Sequence, residues 1–325
     1  MIVPEYWARA RGQGQSGRRQ VTVHRYGWSD TSLVDATKMA EARVDEALQQ
    51  ILAGARLERR ECLGVYNGAD GVPIREEVVS RNGHSVISRN SYGARCLNTP
   101  NVLFADIDFE EPAAASVSLG FFVCLLAVVV GVVLFGVSIK WLFLGMVVML
   151  IVPFVGRAVK RQRMRCLGGY EGIARSRIKA FLHLHQSWNL RLYRTPNGMR
   201  LIATHQCFDP AATEVQAFFK AVGTDPVYSR MCLNQKCFRA RLTAKPWRIG
   251  ISRHLRPHSG SWPVPEESLP ARRKWIADYE TRAASYAACR YIESLGSGVI
   301  SEDTRAVVEL HDQLSQSLDT GLQLA

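Results

Sequence analysis

An apolar run between Val117 and Gly156 constrains the fold of this chain more than any other feature. The run is forty residues long, and Lys140 is its only charged side chain. One helix of that length would measure about 60 Å, twice the hydrocarbon thickness of a bilayer. Because backbone polar groups in lipid must be hydrogen-bonded within the segment, the run predicts a transmembrane helical hairpin over residues 117–156 that turns near Gly136 to Lys140.

Basic residues follow this run directly and predict its orientation. They are Arg157, Lys160, Arg161, Arg163 and Arg165. Positive charge beside a span marks its cytoplasmic side, so the sequence predicts a multi-pass protein of the inner (cytoplasmic) membrane with both flanking parts in the cytoplasm. A second interpretation stays open: Val117 to Ile139 forms a single long span, and the two flanking parts lie on opposite sides.

Positive charge is concentrated in one part of the chain. The formal net charge is +12, and basic side chains strongly outnumber acidic ones between 157 and 256 but not before 117. A positive face attracts polyanions, so a nucleotide, a nucleic acid or an anionic lipid surface is the expected partner. Arg200 belongs to this part and is a candidate phosphate-binding residue.

The first half of the chain contains a few clear local signals. The polar, glycine-rich stretch before residue 26 predicts a mobile basic lead-in over residues 1–25. Ser32 and Asp35 resemble a capping box and predict a helix from Leu33 to about Ala53. Two strand-like runs follow, at 57–66 and 102–109.

The second half continues with helices and a hairpin. Alternating runs at 190–194 and 199–205, joined by a Pro-Asn-Gly turn, predict a β-hairpin. Helices are predicted before it at 170–188 and after it from Asp209 to Gly223, followed by a strand at 237–242. The tail predicts two further helices, at 266–295 and 302–318.

This order of elements predicts an α+β fold with a mixed or antiparallel sheet and flanking helices, interrupted by a transmembrane helical hairpin. Residues 26–116 and 157–256 form one discontinuous domain in this interpretation. Residues 257–325 form a C-terminal helical segment.

Two aspartates end the strand-like run at 102–109. Alternate residues of a strand point to one face, so Asp106 and Asp108 can share a divalent cation. A solvated exit from the sheet explains the same pattern. His205 ends the predicted hairpin and is a candidate phosphate-binding or proton-relay group, with an edge histidine as the alternative.

The order of these motifs resembles the archaeo-eukaryotic primase superfamily. The resemblance covers about residues 100 to 250 and rests on an apolar strand ending in Asp106 and Asp108, a hairpin ending in His205, then Asp225 and a basic stretch. It implies that Asp106, Asp108 and Asp225 hold Mg or Mn. It further implies a set of residues that face nucleotide phosphates: His205, Arg239, Arg241 and Lys245. Since Pro226 follows Asp225, a helix N-cap is an alternative role for that aspartate.

A second set of residues has ligand types that zinc accepts. Its members are Cys232, Cys237, His254 and His258. The favoured interpretation is a buried pair of small cysteines, because Cys237 opens an apolar strand, and zinc is not expected.

Two functional hypotheses follow. The first is a membrane-anchored cytoplasmic protein with a primase-like nucleotide or nucleic-acid binding domain, acting as a divalent-metal-dependent nucleotidyl transferase in which Asp106, Asp108, His205 and Asp225 are catalytic. The second is a non-catalytic, membrane-anchored binding or scaffold module whose basic face binds nucleic acid, anionic lipid or a protein partner.

Overall fold

The computed structural model describes residues 3–16, 19–61, 72–73, 75–109, 155–156, 162, 166–256 and 262–325. Its six helices are α1 (Leu33–Leu52), α2 (Gly169–Leu184), α3 (Thr213–Val222), α4 (Pro226–Gln235), α5 (Leu269–Ala283) and α6 (Glu302–Ser315). The first six strands are β1 (Tyr6–Ser16), β2 (Arg19–Ser29), β3 (Glu77–Asn82), β4 (Ser85–Arg89), β5 (Arg95–Thr99) and β6 (Phe104–Asp108). The others are β7 (Asn189–Thr195), β8 (Gly198–Ala203), β9 (Phe238–Arg241), β10 (Tyr286–Ala287), β11 (Arg290–Gly296) and β12 (Gln323–Leu324).

Two antiparallel sheets of four strands form the centre of the molecule. Their strand orders are β11-β7-β8-β6 and β3-β4-β5-β9. Each sheet combines strands from before residue 110 with strands from after residue 166, since β6 pairs with β8 and β5 pairs with β9. The α+β architecture with antiparallel sheets therefore joins chain segments that are far apart in sequence.

One hydrophobic core connects these sheets to the helices. Its fully buried side chains include Leu97 and Phe104 from the first half of the chain and Leu192, Leu201 and Phe218 from the second. Burying such side chains supplies most of the free energy of folding.

The predicted fold class is wrong in one part, the transmembrane helical hairpin that was expected to interrupt the α+β fold. Within the described residues, no helix is both long and apolar enough to cross a membrane. The longest of them, α1, has 20 residues and buries only one face, at Ala36, Ala40, Val44 and Ala47. Its other face carries charged side chains, which hydrocarbon would not accommodate.

This finding also contradicts the predicted inner-membrane location with several spans and the membrane anchor of both functional hypotheses. The residues on which the hairpin was predicted, 117–156, lie outside the described part of the chain except for Val155 and Gly156. The single-span alternative over 117–139 lies outside it as well.

The N-terminal residues differ from their prediction. In place of a lead-in over 1–25, β1 and β2 form an antiparallel hairpin of two 11-residue strands. Its small residues face α1: a Cβ on Gly12 would lie 2.4 Å from Cγ1 of Val44, and Val21 and Val23 are buried there with Ala47. Glycines in this stretch therefore permit close packing of the hairpin on a helix.

The C-terminal segment is also not purely helical. The helix predicted over 266–295 ends with α5 at Ala283, and Arg290–Gly296 forms β11, the edge strand beside β7. The ring centroids of Tyr291 and Tyr193 lie 5.7 Å apart across these strands. This tertiary pairing overrides a local sequence that contains no glycine or proline between Pro270 and Gly296.

Other local predictions are confirmed. Ser32 caps α1 by accepting a hydrogen bond from the Asp35 backbone N–H, and Gly223 ends α3 with a φ of 79°. The predicted hairpin is the β7–β8 pair. Asp209 accepts a hydrogen bond from the Ala211 N–H, although α3 begins later, at Thr213.

We expect Gly27→Ala to destabilise the protein by about 2 kcal/mol or more, because a Cβ there would lie 2.1 Å from the Ala36 carbonyl oxygen and 2.3 Å from the Ala40 nitrogen of α1. Urea unfolding measures the change. Gly14→Ala is the matched control, since its Cβ would meet the Leu48 side chain at 3.4 Å. Equal stability of the two variants would contradict the proposed close packing of β2 on α1.

Candidate functional site

Asp106, the first predicted metal ligand, forms an ion pair across two strands. It lies opposite Arg200 in the β6–β8 register. Its Oδ1 accepts a hydrogen bond from Arg200 Nε at 2.8 Å, and its Oδ2 accepts one from Nη2 at 3.1 Å. Both carboxylate oxygens are therefore occupied by one guanidinium group, a bidentate arrangement that is among the strongest polar contacts in proteins.

Arg200 is buried and its remaining donor is also used. Its side chain is 3% exposed. Nη1 donates to the Arg241 carbonyl oxygen at 2.8 Å and lies 3.4 Å from His311 Nε2. Burial opposes the charge, but the Asp106 carboxylate outweighs it and raises the pKa of Arg200. Arg200 is thus a buried, charged residue whose donors are used within the protein, and this geometry does not support its predicted role as a phosphate ligand.

Asp106 and Asp225, two of the three predicted metal ligands, are neighbours, since the Asp225 N–H donates a hydrogen bond to the Asp106 carbonyl oxygen at 2.9 Å. Their carboxylates have different partners. Asp225 caps α4: its Oδ1 and Oδ2 accept hydrogen bonds from the Val227 and Tyr228 N–H groups, each at 3.1 Å. Asp108 is an exposed residue opposite Gly198. The described residues contain no group of three or more His, Cys, Asp or Glu side chains that could hold a metal ion. In the structure, Asp225 therefore has the alternative role of a helix N-cap.

His205 lies two residues beyond the end of β8, whereas Asp106 pairs with Arg200 within that strand. Its Nδ1 accepts a hydrogen bond from the Asn189 N–H at 3.3 Å, and its ring packs 4.8 Å from Trp188. Burial lowers the pKa of His205. This neutral ring in an aromatic cluster corresponds to the structural alternative.

Arg239, another predicted phosphate ligand, is buried in an ion pair. Its Nη2 lies 2.7 Å from both carboxylate oxygens of Glu76, and its Nη1 donates to Asn98 Oδ1 at 3.1 Å. The Arg239 and Glu76 side chains are 5% and 6% exposed. This guanidinium group is enclosed by partners within the protein, an environment that does not support its predicted role as a phosphate ligand.

Arg241 and Lys245 are half-buried beside aromatic rings. The Arg241 side chain is hydrogen-bonded to Tyr92, and Lys245 Nζ lies 5.4 Å from the centroid of the Trp247 ring. The structure therefore scatters the four predicted phosphate ligands among different packing environments.

The cysteines of the predicted zinc set lie in the core. Cys232 and Cys237 are buried, and burial raises the pKa of both thiols, that of Cys237 to about 11. Zinc binds thiolates, which these environments disfavour. His254 is exposed, and His258 lies outside the described residues.

A buried polar cluster that the sequence analysis did not identify lies behind Arg200. Cys289 Sγ is 3.7 Å from His311 Nε2, and His311 Nδ1 is 3.1 Å from Asp312 Oδ1. Burial opposes the charged forms of both Cys289 and His311. Their mutual attraction outweighs burial, so the pKa of His311 is raised and the pKa of Cys289 is lowered. Both side chains are fully buried, so this cluster fastens α6 to the sheet and offers no access to a substrate.

A basic pocket lies elsewhere, on the open face of β1 and β2. It has a volume of about 520 Å³. We call it the arginine pocket, and its lining residues are Arg9, Arg11, Gln20, Thr22, His24, Arg59 and Arg60.

The alternation of the two strands positions this pocket. Cross-strand partners share a face, so the pairing of Arg11 with His24 places both opposite the glycines that pack on α1. Residues 59–61 run beside β2, where the His24 N–H donates to the Arg59 carbonyl oxygen at 2.9 Å. This hydrogen bond positions Arg59 and Arg60 beside Arg9 and Arg11 of β1.

The pocket has an uncompensated positive charge. Among the described residues, no carboxylate lies within ion-pair distance of its four guanidinium groups. The neighbouring acid, Glu61, is paired with Arg43 at 2.6 Å. Burial, followed by the positive charges of Arg9, Arg60 and Arg11, lowers the pKa of His24. The arrangement is suited to bind an anion.

A sequence signal for this face exists. From residue 8 to 15, small residues alternate with arginine or glutamine, in the order Ala-Arg-Ala-Arg-Gly-Gln-Gly-Gln. A period of two predicts a strand with one packed and one polar face. High glycine content obscured the signal, because glycine is also typical of mobile segments.

Comparisons with known proteins add no identification: no family model, curated protein or solved structure matches this chain. The functional interpretation therefore depends on the geometry of the arginine pocket and of the Asp106–Arg200 pair.

We expect Asp106→Asn to destabilise the protein by about 2 kcal/mol, because it leaves the buried Arg200 charge without its anion while the 30% exposure of the Asp106 side chain reduces the cost. Urea unfolding measures this, with Asp45→Asn on the exposed face of α1 as the control, for which the change should stay within about 0.5 kcal/mol. If Asp106→Asn is as stable as the original protein and Mg²⁺ stabilises only the latter, the metal interpretation is the better one.

Proposed function

We propose that this protein is a nucleic-acid-binding module and that the arginine pocket contacts the phosphate backbone. The observation that supports the proposal is the convergence of four arginines from β1 and from residues 59–60 in one pocket without carboxylate partners among the described residues. It develops the binding alternative of the sequence analysis, without the membrane anchor.

The chemistry of the side chains favours phosphate. A guanidinium group is planar and presents paired N–H donors that match two phosphate oxygens. Thr22 and Gln20 add neutral donors at the same pocket. Because the guanidinium groups come from different chain segments, they can contact successive phosphates of a polymer.

Features of the surrounding face favour a nucleic acid over a lipid surface. Peripheral lipid binding combines basic residues with exposed apolar side chains that enter the bilayer interface. Beyond the pocket, the open face of β1 continues with Gln13 and Gln15, which are exposed and polar.

The same geometry gives less support to a metal-dependent nucleotidyl transferase. Such a reaction needs carboxylates that are free to coordinate a cation. Asp106 is bound by Arg200, and both oxygens of Asp225 are bound by backbone N–H groups of α4. A binding function needs only the positive face that the hairpin presents.

We expect Arg11→Gln/Arg60→Gln to weaken binding of a labelled 20-base-pair DNA duplex and to lower the slope of log K against log salt concentration by about 2, because each lost phosphate contact releases one fewer counterion. Fluorescence anisotropy between about 50 and 400 mM NaCl measures the slope. The control removes two exposed charges of α5 through Arg273→Gln/Lys274→Gln. An equal loss in the control would show that net charge, and not the pocket, determines binding.

Binding should also depend on pH through His24. In the free protein, burial and then the positive charges of Arg9, Arg60 and Arg11 keep the pKa of His24 below the ordinary value. A bound phosphate raises that pKa, so the complex takes up a proton. Affinity should therefore rise several-fold as pH falls from about 7 to about 5.5. His24→Gln should flatten this profile, whereas His84→Gln, in an exposed turn, should preserve it. An unchanged profile in His24→Gln would contradict the role of His24.

A further inference from the structure

We infer that the nucleic acid is B-form duplex DNA and that the open face of the β1–β2 hairpin enters its major groove. The inference rests on the proposed function and specifies its substrate. Its basis is the combination, on one face, of the arginine pocket with a row of exposed amide side chains: Gln13, Gln15 and Gln20.

The shape of the hairpin fits this groove. Two strands of 11 residues extend about 35 Å. Among the described residues, 59–61 run beside β2 only near His24, so the end of the ribbon that carries Gln13, Gln15 and Gln20 is two strands wide. The major groove of B-form DNA is about 12 Å wide and admits a two-stranded ribbon. The ribbon packs one face on α1 and leaves the other face open. Gly12 and Gly27 allow α1 to lie close to the backbone of the ribbon, which fixes the ribbon relative to the helix.

Arginine and glutamine side chains occupy different positions along the open face, as expected if the arginines contact phosphates and the glutamines contact base edges. Arg9 and Arg11 lie near the Trp7 end of β1, together with Arg59 and Arg60. There they can bind phosphate groups of the DNA backbone. Gln13 and Gln15 lie further along the same strand. A glutamine amide carries both a donor and an acceptor and can pair with the adenine edge in the major groove.

The amides are also ordered with respect to one another. Gln20 Nε2 donates a hydrogen bond to Gln13 Oε1 at 3.0 Å across the two strands. This contact holds two amide groups side by side on the face that would meet the base edges. Ordering of this kind reduces the entropy that binding would otherwise cost.

Three of the four aromatic rings of the hairpin, those of Trp7, Tyr26 and Trp28, are partly covered by cations. Sequence-tolerant binding of single strands uses open aromatic faces on which bases stack. The Arg75 guanidinium lies over the rings of Trp7 and Tyr26, at 5.0 and 4.5 Å from their centroids. Arg43 lies 4.8 Å from the ring of Trp28. At least one face of each ring is therefore already covered by a cation, which favours a duplex as the ligand.

The test compares three labelled ligands of one sequence with the purified full chain: a 20-base-pair DNA duplex, its single strand and the corresponding RNA duplex. At about 0.15 M NaCl we expect the DNA duplex to bind at least tenfold more tightly than either other ligand, because the major groove of A-form RNA is too deep and narrow for the ribbon. Equal or tighter binding of the single strand or the RNA duplex would overturn the inference. Absence of binding to all three would overturn the proposed function as well.

Two variants separate groove contacts from backbone contacts. We expect Gln13→Ala/Gln15→Ala to reduce the preference for the DNA duplex over the RNA duplex at least fivefold, whereas Arg11→Gln/Arg60→Gln should weaken binding to both duplexes. Gln49→Ala/Gln50→Ala, on the exposed face of α1, is the control and should change neither. An undiminished preference in Gln13→Ala/Gln15→Ala would contradict the role of these amides.

Methylation by dimethyl sulfate locates the occupied groove directly. We expect the protein to protect guanine N7, in the major groove, and to leave adenine N3, in the minor groove, reactive. Protection of adenine N3 alone would overturn the inference while leaving the proposed function intact.

Discussion

The buried Arg200 guanidinium group is the interaction on which the central part of this structure depends. It binds the Asp106 carboxylate of β6, the Arg241 carbonyl oxygen of β9 in the other sheet, and lies against His311 of α6. An unpaired buried charge would cost several kcal/mol, so these partners must be in place when the core forms. The Arg200–Asp106 pair thereby links both sheets and the C-terminal helix, and it engages both carboxylate oxygens of Asp106.

Ion pairing explains why the charge distribution along the chain did not indicate the arginine pocket. Several basic residues between 157 and 256 are paired with acids, for example Arg191 with Asp312 and Arg239 with Glu76. In contrast, the N-terminal part has nearly balanced charges, yet it contributes Arg9 and Arg60 to a pocket without carboxylate partners among the described residues. The local excess of charge follows from three-dimensional pairing and not from counts over sequence segments.

Elements whose contacts are local were predictable. The β7–β8 hairpin is joined by a short turn, and Ser32 caps a helix that begins at the next residue, so each is encoded within a few positions. The strand β11 was not predictable, because its hydrogen bonds go to β7, about a hundred residues earlier. The alternation of small and polar residues in the N-terminal hairpin is visible in the sequence. The role of its glycines is not, because it depends on their close packing against α1.

The sequence by itself determined the local chemistry: which segments alternate, where a cap or a turn can form, and which side chains carry charge. It also suggested both roles for Asp225, metal ligand and helix cap, without deciding between them. Only the tertiary structure decided that Asp225 caps α4 and that Arg200 and Arg239 are buried with their counter-ions. It also decided that the arginines of the pocket lie together without a carboxylate partner among the described residues. The physical reason is that the electrostatic role of an ionisable side chain depends on burial and on partners within about 4 Å, and folding brings those partners from distant parts of the chain.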